Sequence, residues 1–336
     1  MDAGERRLLF EQTAANMGVL PVVAEKDFWV CWMLKRVFDL PEEHPNLLFK
    51  GGTTLSKLYK LTKRFSEDID LSIDRHSLGF EGERDPANIR GSKARNRLLD
   101  ELTQECHRYI AAELLPALTE KIANELRTES GWSFDVDPRD RGVLSFKYPR
   151  SENQDWGSAE YLRPVVRLEL GAKSDHWPAS DQVLSSYSAE EFPSFFEEPS
   201  CVVRALDASR TFWEKTTILH KLYHGGVEQA EKGRKSRHYY DVVQIARSPL
   251  CASILSEIAL LEDVAAHMSA FFHSAWARYD EARPGRLKLA PSKEITRVLE
   301  RDYDEMQIMI FDDSPPTFEE IVEELEDLED RINTQA

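Results

Sequence analysis

The residues best suited to chemistry begin with Asp68 and Asp70. Residues 69 to 73, Ile-Asp-Leu-Ser-Ile, alternate apolar and polar with period two, the pattern of a half-buried strand. On a strand, residues i and i+2 share a face, so the two carboxylates project side by side. Like charges that close repel, and a divalent cation ligated by oxygens relieves the repulsion. An isolated Asp-x-Asp serves equally as a turn cap beside a solvated strand residue, so its surroundings decide. Upstream stands Gly51-Gly52-Thr53, where the apolar strand Leu47-Leu48-Phe49 meets a helix-like stretch from Leu55 to Leu61. Such a turn aims backbone N–H groups at an anion, and the helix N-terminus adds partial positive charge. A phosphate cradle and a metal pair are therefore expected in one unit. A third carboxylate, Glu169, is expected on a neighbouring strand within Val166-Arg167-Leu168-Glu169-Leu170. Lys57, Lys60, Lys63 and Arg64 are expected near the cradle, where they would offset an anionic substrate.

Other elements must carry these residues. Residues 5 to 40 predict two helices divided at Pro21, and residues 77 to 97 a loop. A long helix is expected from about Lys93 to Arg127, with Pro116 a point of kinking or division. Strands are expected at residues 132–136, 143–148 and 165–170, joined by hairpins. After Pro199 the pattern turns helical through residues 211–224, 237–247, 251–278 and 291–310. The last element, Phe318 to Ile332, has one apolar and one acidic face. His220 and His224 have the i, i+4 spacing of a metal pair, but Lys221 stands where a zincin carries Glu, and Gly225-Gly226 is expected to end that helix.

The set resembles something specific. Gly-Gly-Thr at a strand-to-helix turn followed by Ser66-Glu67-Asp68-Ile69-Asp70-Leu71 is similar to the signature of the polymerase-beta-like nucleotidyltransferase superfamily. More narrowly, the chain resembles the AbiEii/AbiGii-type nucleotidyltransferase toxins of abortive-infection and toxin–antitoxin systems. Phe49 to Leu55, Arg64 to Asp70, Glu25-Lys26-Asp27-Phe28-Trp29-Val30, Trp213-Glu214-Lys215 and Ser236 to Asp241 carry that resemblance in order. It implies an α+β nucleotidyltransferase fold, a mixed sheet flanked by helices, followed by a C-terminal helical bundle. The domains are expected at residues 1–200 and 201–311, with an acidic tail helix at 312–336. It also implies that Asp68 and Asp70 hold Mg2+ against an NTP triphosphate and that Gly51, Gly52 and Thr53, with Lys57, contact phosphates. Lys215 corresponds to the family's triphosphate lysine and Asp241 to the aspartate that pairs with it or sits beside the metal, both brought to a cleft between the domains. Many members have Arg-Asp where this chain has Arg237-His238, so His238 is given no catalytic part.

Composition limits the alternatives. The chain has 336 residues, 60 acidic and 43 basic, with 16 Phe, 10 Tyr and 7 Trp, which fits a globular protein with a real core and not a disordered or collagenous one. No run of about 20 uncharged apolar residues is present, and residues 1–10 lack a secretory h-region. Four dispersed cysteines without CxxC argue against a zinc ribbon and for a reducing cytoplasm. The net charge of −17 is uneven, because the last 25 residues carry −9 of it. The expected function is transfer of an NMP from an NTP to a hydroxyl, on RNA such as a tRNA 3′ end, blocking growth or phage propagation, with a cognate antitoxin as partner. NMP or phosphate transfer to a protein such as that antitoxin, and an inactive nucleotide-binding module, are the competing readings. If the acceptor is RNA, Lys93, Arg95, Arg97, Lys232, Arg234, Lys235 and Arg237 are the candidate basic patches.

Overall fold

The computed structural model describes residues 1–66, 68–151 and 163–335; Glu67 of the Ser66-Glu67-Asp68 block lies outside them. The chain divides into two compact units, one of residues 1–58 and 65–206, the other of residues 59–64 and 207–336.

The first unit opens with α1 (Ala3–Met17), started by a reciprocal cap between Asp2 and Glu5 and stopped by Gly18 at φ 68°. Proline at the first turn begins α2 (Pro21–Phe38). Then follow β1 (Leu47–Lys50), α3 (Gly52–Lys57) and β2 (Asp68–Ile73). The long helix expected next is three pieces: α4 (Ser92–Tyr109), a π-helical turn at Ile110–Leu114, and α5 (Leu115–Glu125). Proline lacks an N–H and its ring crowds the carbonyl four residues back, so a wider turn just ahead of Pro116 lets the helix pass without a break. The unit finishes with β3 (Ser133–Val136), β4 (Val143–Lys147), β5 (Val165–Gly171), β6 (Ala179–Ser185), α6 (Tyr187–Glu191) and β7 (Ser200–Leu206).

Among the described residues these strands form one sheet in the order β3-β4-β5-β2-β1-β7-β6. β2 runs parallel to β5 and antiparallel to β1, and β1 pairs with β7 in parallel, so the sheet is mixed. Alternation along β2 sends Ile69, Leu71 and Ile73 into the core with Phe49 and Leu168, beneath Trp29 and Met33 of α2 and Leu102 and Ile110 of the long helix. Trp29 stacks on Tyr148 and Trp32 on Phe146, with centroids 5.5 and 5.6 Å apart. Asp68 and Asp70 therefore lie on the opposite face. The sequence boundary expected after residue 200 is corrected: Ser200–Leu206 is a strand between β1 and β6, and the unit ends after Leu206.

The second unit is helical: α7 (Ala208–Ala230), α8 (Ser236–Arg247), α9 (Cys251–Ser256), α10 (Ala259–Phe271), α11 (Lys293–Met306) and α12 (Phe318–Asn333). As expected from the sequence, the glycines end the first helical stretch of α7: Gly226, at φ 66° and ψ −171°, is non-helical and a second short stretch follows it to Ala230. The acidic element is a docked helix: a Thr317–Glu320 capping box starts it, and Phe318, Ile321, Leu325, Leu328 and Ile332 are buried. No helix among the described residues is long and apolar enough to cross a membrane.

His220 belongs to this core. The Lys288 N–H can only donate, so Nδ1 accepts from it at 3.1 Å, and Nε2–H donates to the Arg278 carbonyl at 3.0 Å. Burial pushes its pKa down to about 4. A histidine kept neutral when folded binds fewer protons than when unfolded, so its contribution to stability is lost as pH falls from about 6.5 towards about 4, at most roughly 3 kcal/mol. Urea unfolding at pH 7 and pH 4.5 is expected to show a larger loss in wild type than in His220→Gln; equal losses would refute the assignment.

Candidate active site

The polar face of the first unit's sheet is built around one glycine. Gly51 links β1 to α3 at φ 84°, ψ −160°, a conformation open essentially to glycine alone. A Cβ placed there would stand 2.7 Å from the Asp70 Cγ and 3.0 Å from the Asp70 Cβ, so the carboxylate occupies the space that a side chain would fill. Thr53 ties the start of α3 to β2. Its hydroxyl donates to the Asp68 carbonyl at 2.6 Å and, having one proton, accepts from the Ser66 hydroxyl at 2.8 Å. Thr53 is fully buried, which makes it a brace for the Asp68 backbone. At six residues α3 is too short to sum much of a dipole, so what this turn offers an anion is the Gly51-Gly52 backbone itself.

Register places further charges on this face. Asp70 lies opposite Lys50 on β1 and Glu169 on β5, and Asp68 lies opposite Arg167. Arg167 bonds Asp137 at 3.0 Å and brings its Nε within 3.9 Å of Asp68 Oδ1. Among the described residues no three His, Cys, Asp or Glu side chains form a group that could hold a metal, so Glu169 is adjacent by register and does not close a three-carboxylate cluster. The two aspartates suffice for one kind of ion: Mg2+ keeps several waters and takes one or two carboxylates plus substrate phosphates. The donor set fits that ion.

Lys57 is not open to a phosphate. Its ammonium is buried, 2.7 Å from Asp27 Oδ1 and 3.5 Å from the centre of the Tyr187 ring. Burial works against this cation, and the Asp27 carboxylate more than offsets it, holding the pKa above the ordinary lysine value.

The second unit holds its own buried cluster. Arg64 grips Asp241 with two bonds, Nε to Oδ1 at 2.7 Å and Nη2 to Oδ2 at 2.8 Å. Lys215 on α7 approaches Oδ2 at 2.9 Å. Burial alone would raise the Asp241 pKa; Arg64 and Lys215 outweigh it and hold the carboxyl well below its usual range. The Lys215 pKa is lowered, by burial first and by Arg64 second, with Asp241 opposing. His238 is kept neutral by burial, Lys215 and Arg237, and its buried Nδ1 has no partner among the described residues. Arg64 is the residue that the sequence pattern undervalued, as one base among four near the cradle. Its signal was its place in the Arg64-Phe65-Ser66 block. Of the proposed basic patches, Arg95 is tied to the Ile89 carbonyl, Arg97 to Glu101 at 2.9 Å and Lys232 to Glu228 at 2.6 Å.

Residues 32–324 match the sequence model of the family described as nucleotidyl transferase AbiEii toxin, type IV TA system. A search of curated proteins finds no match. Among solved structures, the chain is similar to MenT4, a nucleotidyltransferase toxin from Mycobacterium tuberculosis H37Rv, at 13% identity and a TM-score of 0.44, over 95% of this chain and 98% of that one.

Gly51→Ala is expected to cost about 1–3 kcal/mol of backbone strain and to push the Asp70 carboxylate aside. Calorimetry should show divalent-cation binding weakened at least about ten-fold in Gly51→Ala, the equivalent of 1.4 kcal/mol. Gly79→Ala shares the positive φ, 83°, but has nothing within 4 Å of the new Cβ, so binding should persist there. Asp241→Asn leaves two buried cations without their anion and is expected to lower stability by about 3–5 kcal/mol in denaturant unfolding. A shift below about 1 kcal/mol would mean that water reaches the cluster.

Proposed function

The chain belongs to the AbiEii family of nucleotidyltransferase toxins of type IV toxin–antitoxin systems, and from that membership we propose a Mg2+-dependent enzyme that moves an NMP from an NTP to an RNA hydroxyl, such as a tRNA 3′ end. Its substrate is an NTP and its system includes a cognate antitoxin; growth arrest or a block to phage propagation in the cytoplasm is the proposed outcome. One observation carries the proposal: Asp68 and Asp70 share a sheet face, with the Asp70 carboxylate in the space left by the absent Cβ of Gly51.

In nucleotidyl transfer the acceptor oxygen bonds to the α-phosphorus as the α–β anhydride breaks and pyrophosphate leaves. Bound Mg2+ supplies charge neutralisation on the phosphate oxygens. The chain's own task is positioning. Thr53 and Ser66 fix the backbone that carries Asp68, and Gly51 admits the Asp70 carboxylate. Gly51 and Gly52 offer backbone to the phosphates without a side chain in the way, and Glu169 flanks Asp70. Lys215, oriented by Asp241, is proposed as the triphosphate cation on the family resemblance, and Asp241 as its anchor. Thr53 and Lys57 serve this site through position and not by touching phosphate.

Purified protein incubated with each labelled NTP, Mg2+ and bulk RNA is expected to label RNA. Asp70→Ala should reduce transfer by roughly 10²-fold or more, the scale on which removing one charge-stabilising group acts. Equal transfer by wild type and variant would show that the carboxylate pair is not the site. Label appearing on protein instead would favour the protein-acceptor reading.

A further inference from the structure

Lys57 and Asp27 have no contact role in the transfer, yet they form a deeply buried ion pair between two helices of the first unit, with side chains 4% and 2% exposed. A buried ion pair is weak as a source of stability, because desolvation cancels most of the attraction, so its directionality is the property to examine. Lys57 is the last residue of α3, and the first residues of α3 form the cradle with Gly51. Asp27 sits on α2 and receives a second bond, from the backbone N–H of Tyr187 at 2.6 Å. The Tyr187 ring in turn covers the Lys57 ammonium. Three helices thus meet on one carboxylate. At six residues, three of them, Gly52, Thr53 and Thr54, with poor helix propensity, α3 has little stability of its own. Thr53 pins its first turn to β2, and Lys57 pins its last turn to α2 and α6.

We propose that Lys57 and Asp27 are positioning residues for the cradle: the pair clamps the C-terminal end of α3 so that the Gly51-Gly52 backbone stays fixed against Asp70. This rests on the nucleotidyl-transfer reading of that face. The clamp acts through α3 and touches neither phosphate nor metal.

The test uses the full chain with both charges removed together, Asp27→Asn/Lys57→Met, which avoids an uncompensated buried charge. If the pair only fills space, any loss of folded protein lowers apparent kcat and leaves the KM for NTP unchanged. The clamp instead requires a KM for NTP raised at least about ten-fold, about 1.4 kcal/mol, with the KM for RNA unchanged. A second readout needs no turnover: amide hydrogen exchange over residues 52–58 should accelerate at least about ten-fold while β1 and β2 amides stay protected. Unchanged exchange in α3 overturns the proposal. Should wild type transfer nothing, the nucleotidyl reading falls, and the exchange measurement still decides the clamp. Should the double variant not fold, Tyr187→Leu, which removes the ring over the ammonium, is expected to give the same two changes in smaller measure, and unchanged α3 exchange there is equally fatal.

Discussion

The absence of a single carbon at Gly51 is the constraint on which the first unit depends. A carboxylate can be carried on any strand, but here the Asp70 side chain is packed where the Cβ of the preceding turn would stand. That closeness means that any side chain at position 51 would have to displace the Asp70 carboxylate. The rest of the unit preserves the arrangement. The apolar face of β2 is locked into the core by Ile69, Leu71 and Ile73, so a slip of one residue would bury both aspartates and expose three branched side chains. Thr53 fixes the same strand through its backbone.

The two buried cation–carboxylate groups solve different problems. Asp27 faces one cation, so the group is neutral and its worth lies in holding three helices at one point. Asp241 faces two, Arg64 and Lys215, so the group keeps one excess positive charge in a low-dielectric setting. Arg64 satisfies both Asp241 oxygens with its planar fork, and Lys215 shares only one of them. Burial is the first cause of the lowered pKa of Lys215; Asp241 opposes it and Arg64 adds to it. An anion brought near Lys215 would offset that excess charge, which is consistent with the role proposed for it.

The sequence discloses what depends on local period and on turn chemistry. Asp68 and Asp70 on one face follow from alternation, and the turn at Gly51 from its glycines. The tail helix follows from its apolar stripe. What stays hidden depends on distant partners. Nothing near Lys57 shows that it will be buried, because its counter-charge is on another helix and its cover, Tyr187, on a third. Arg64 looks like a solvated base until α8 brings Asp241 to it. The strand Ser200–Leu206 is obscured by the prolines ahead of it, and its place in the sheet comes from parallel pairing with β1, a contact across more than 150 residues that no local pattern announces. Glu169 was legible as a neighbour of Asp70, but proximity of backbones in register does not make side chains converge on an ion.

Net charge is the weakest guide to such a protein. A total of −17 argues against phosphate binding only if the charges act as one body. Fields between exposed charges fade over about 8–10 Å at ordinary ionic strength, so a phosphate responds to the groups immediately around it. Several tail acids are engaged where they lie: Glu324 pairs with Arg247, and Glu329 takes the Lys288 ammonium at 2.7 Å and the Leu289 N–H at 2.6 Å. These acids fasten α12 to its own unit. Asp68 and Asp70, in the role proposed for them, would act in the opposite sense from what their sign suggests, because a carboxylate pair holding a divalent cation presents positive charge to a triphosphate. The acidity that seems to exclude a nucleotide thus includes the two residues proposed to hold the cation that binds one.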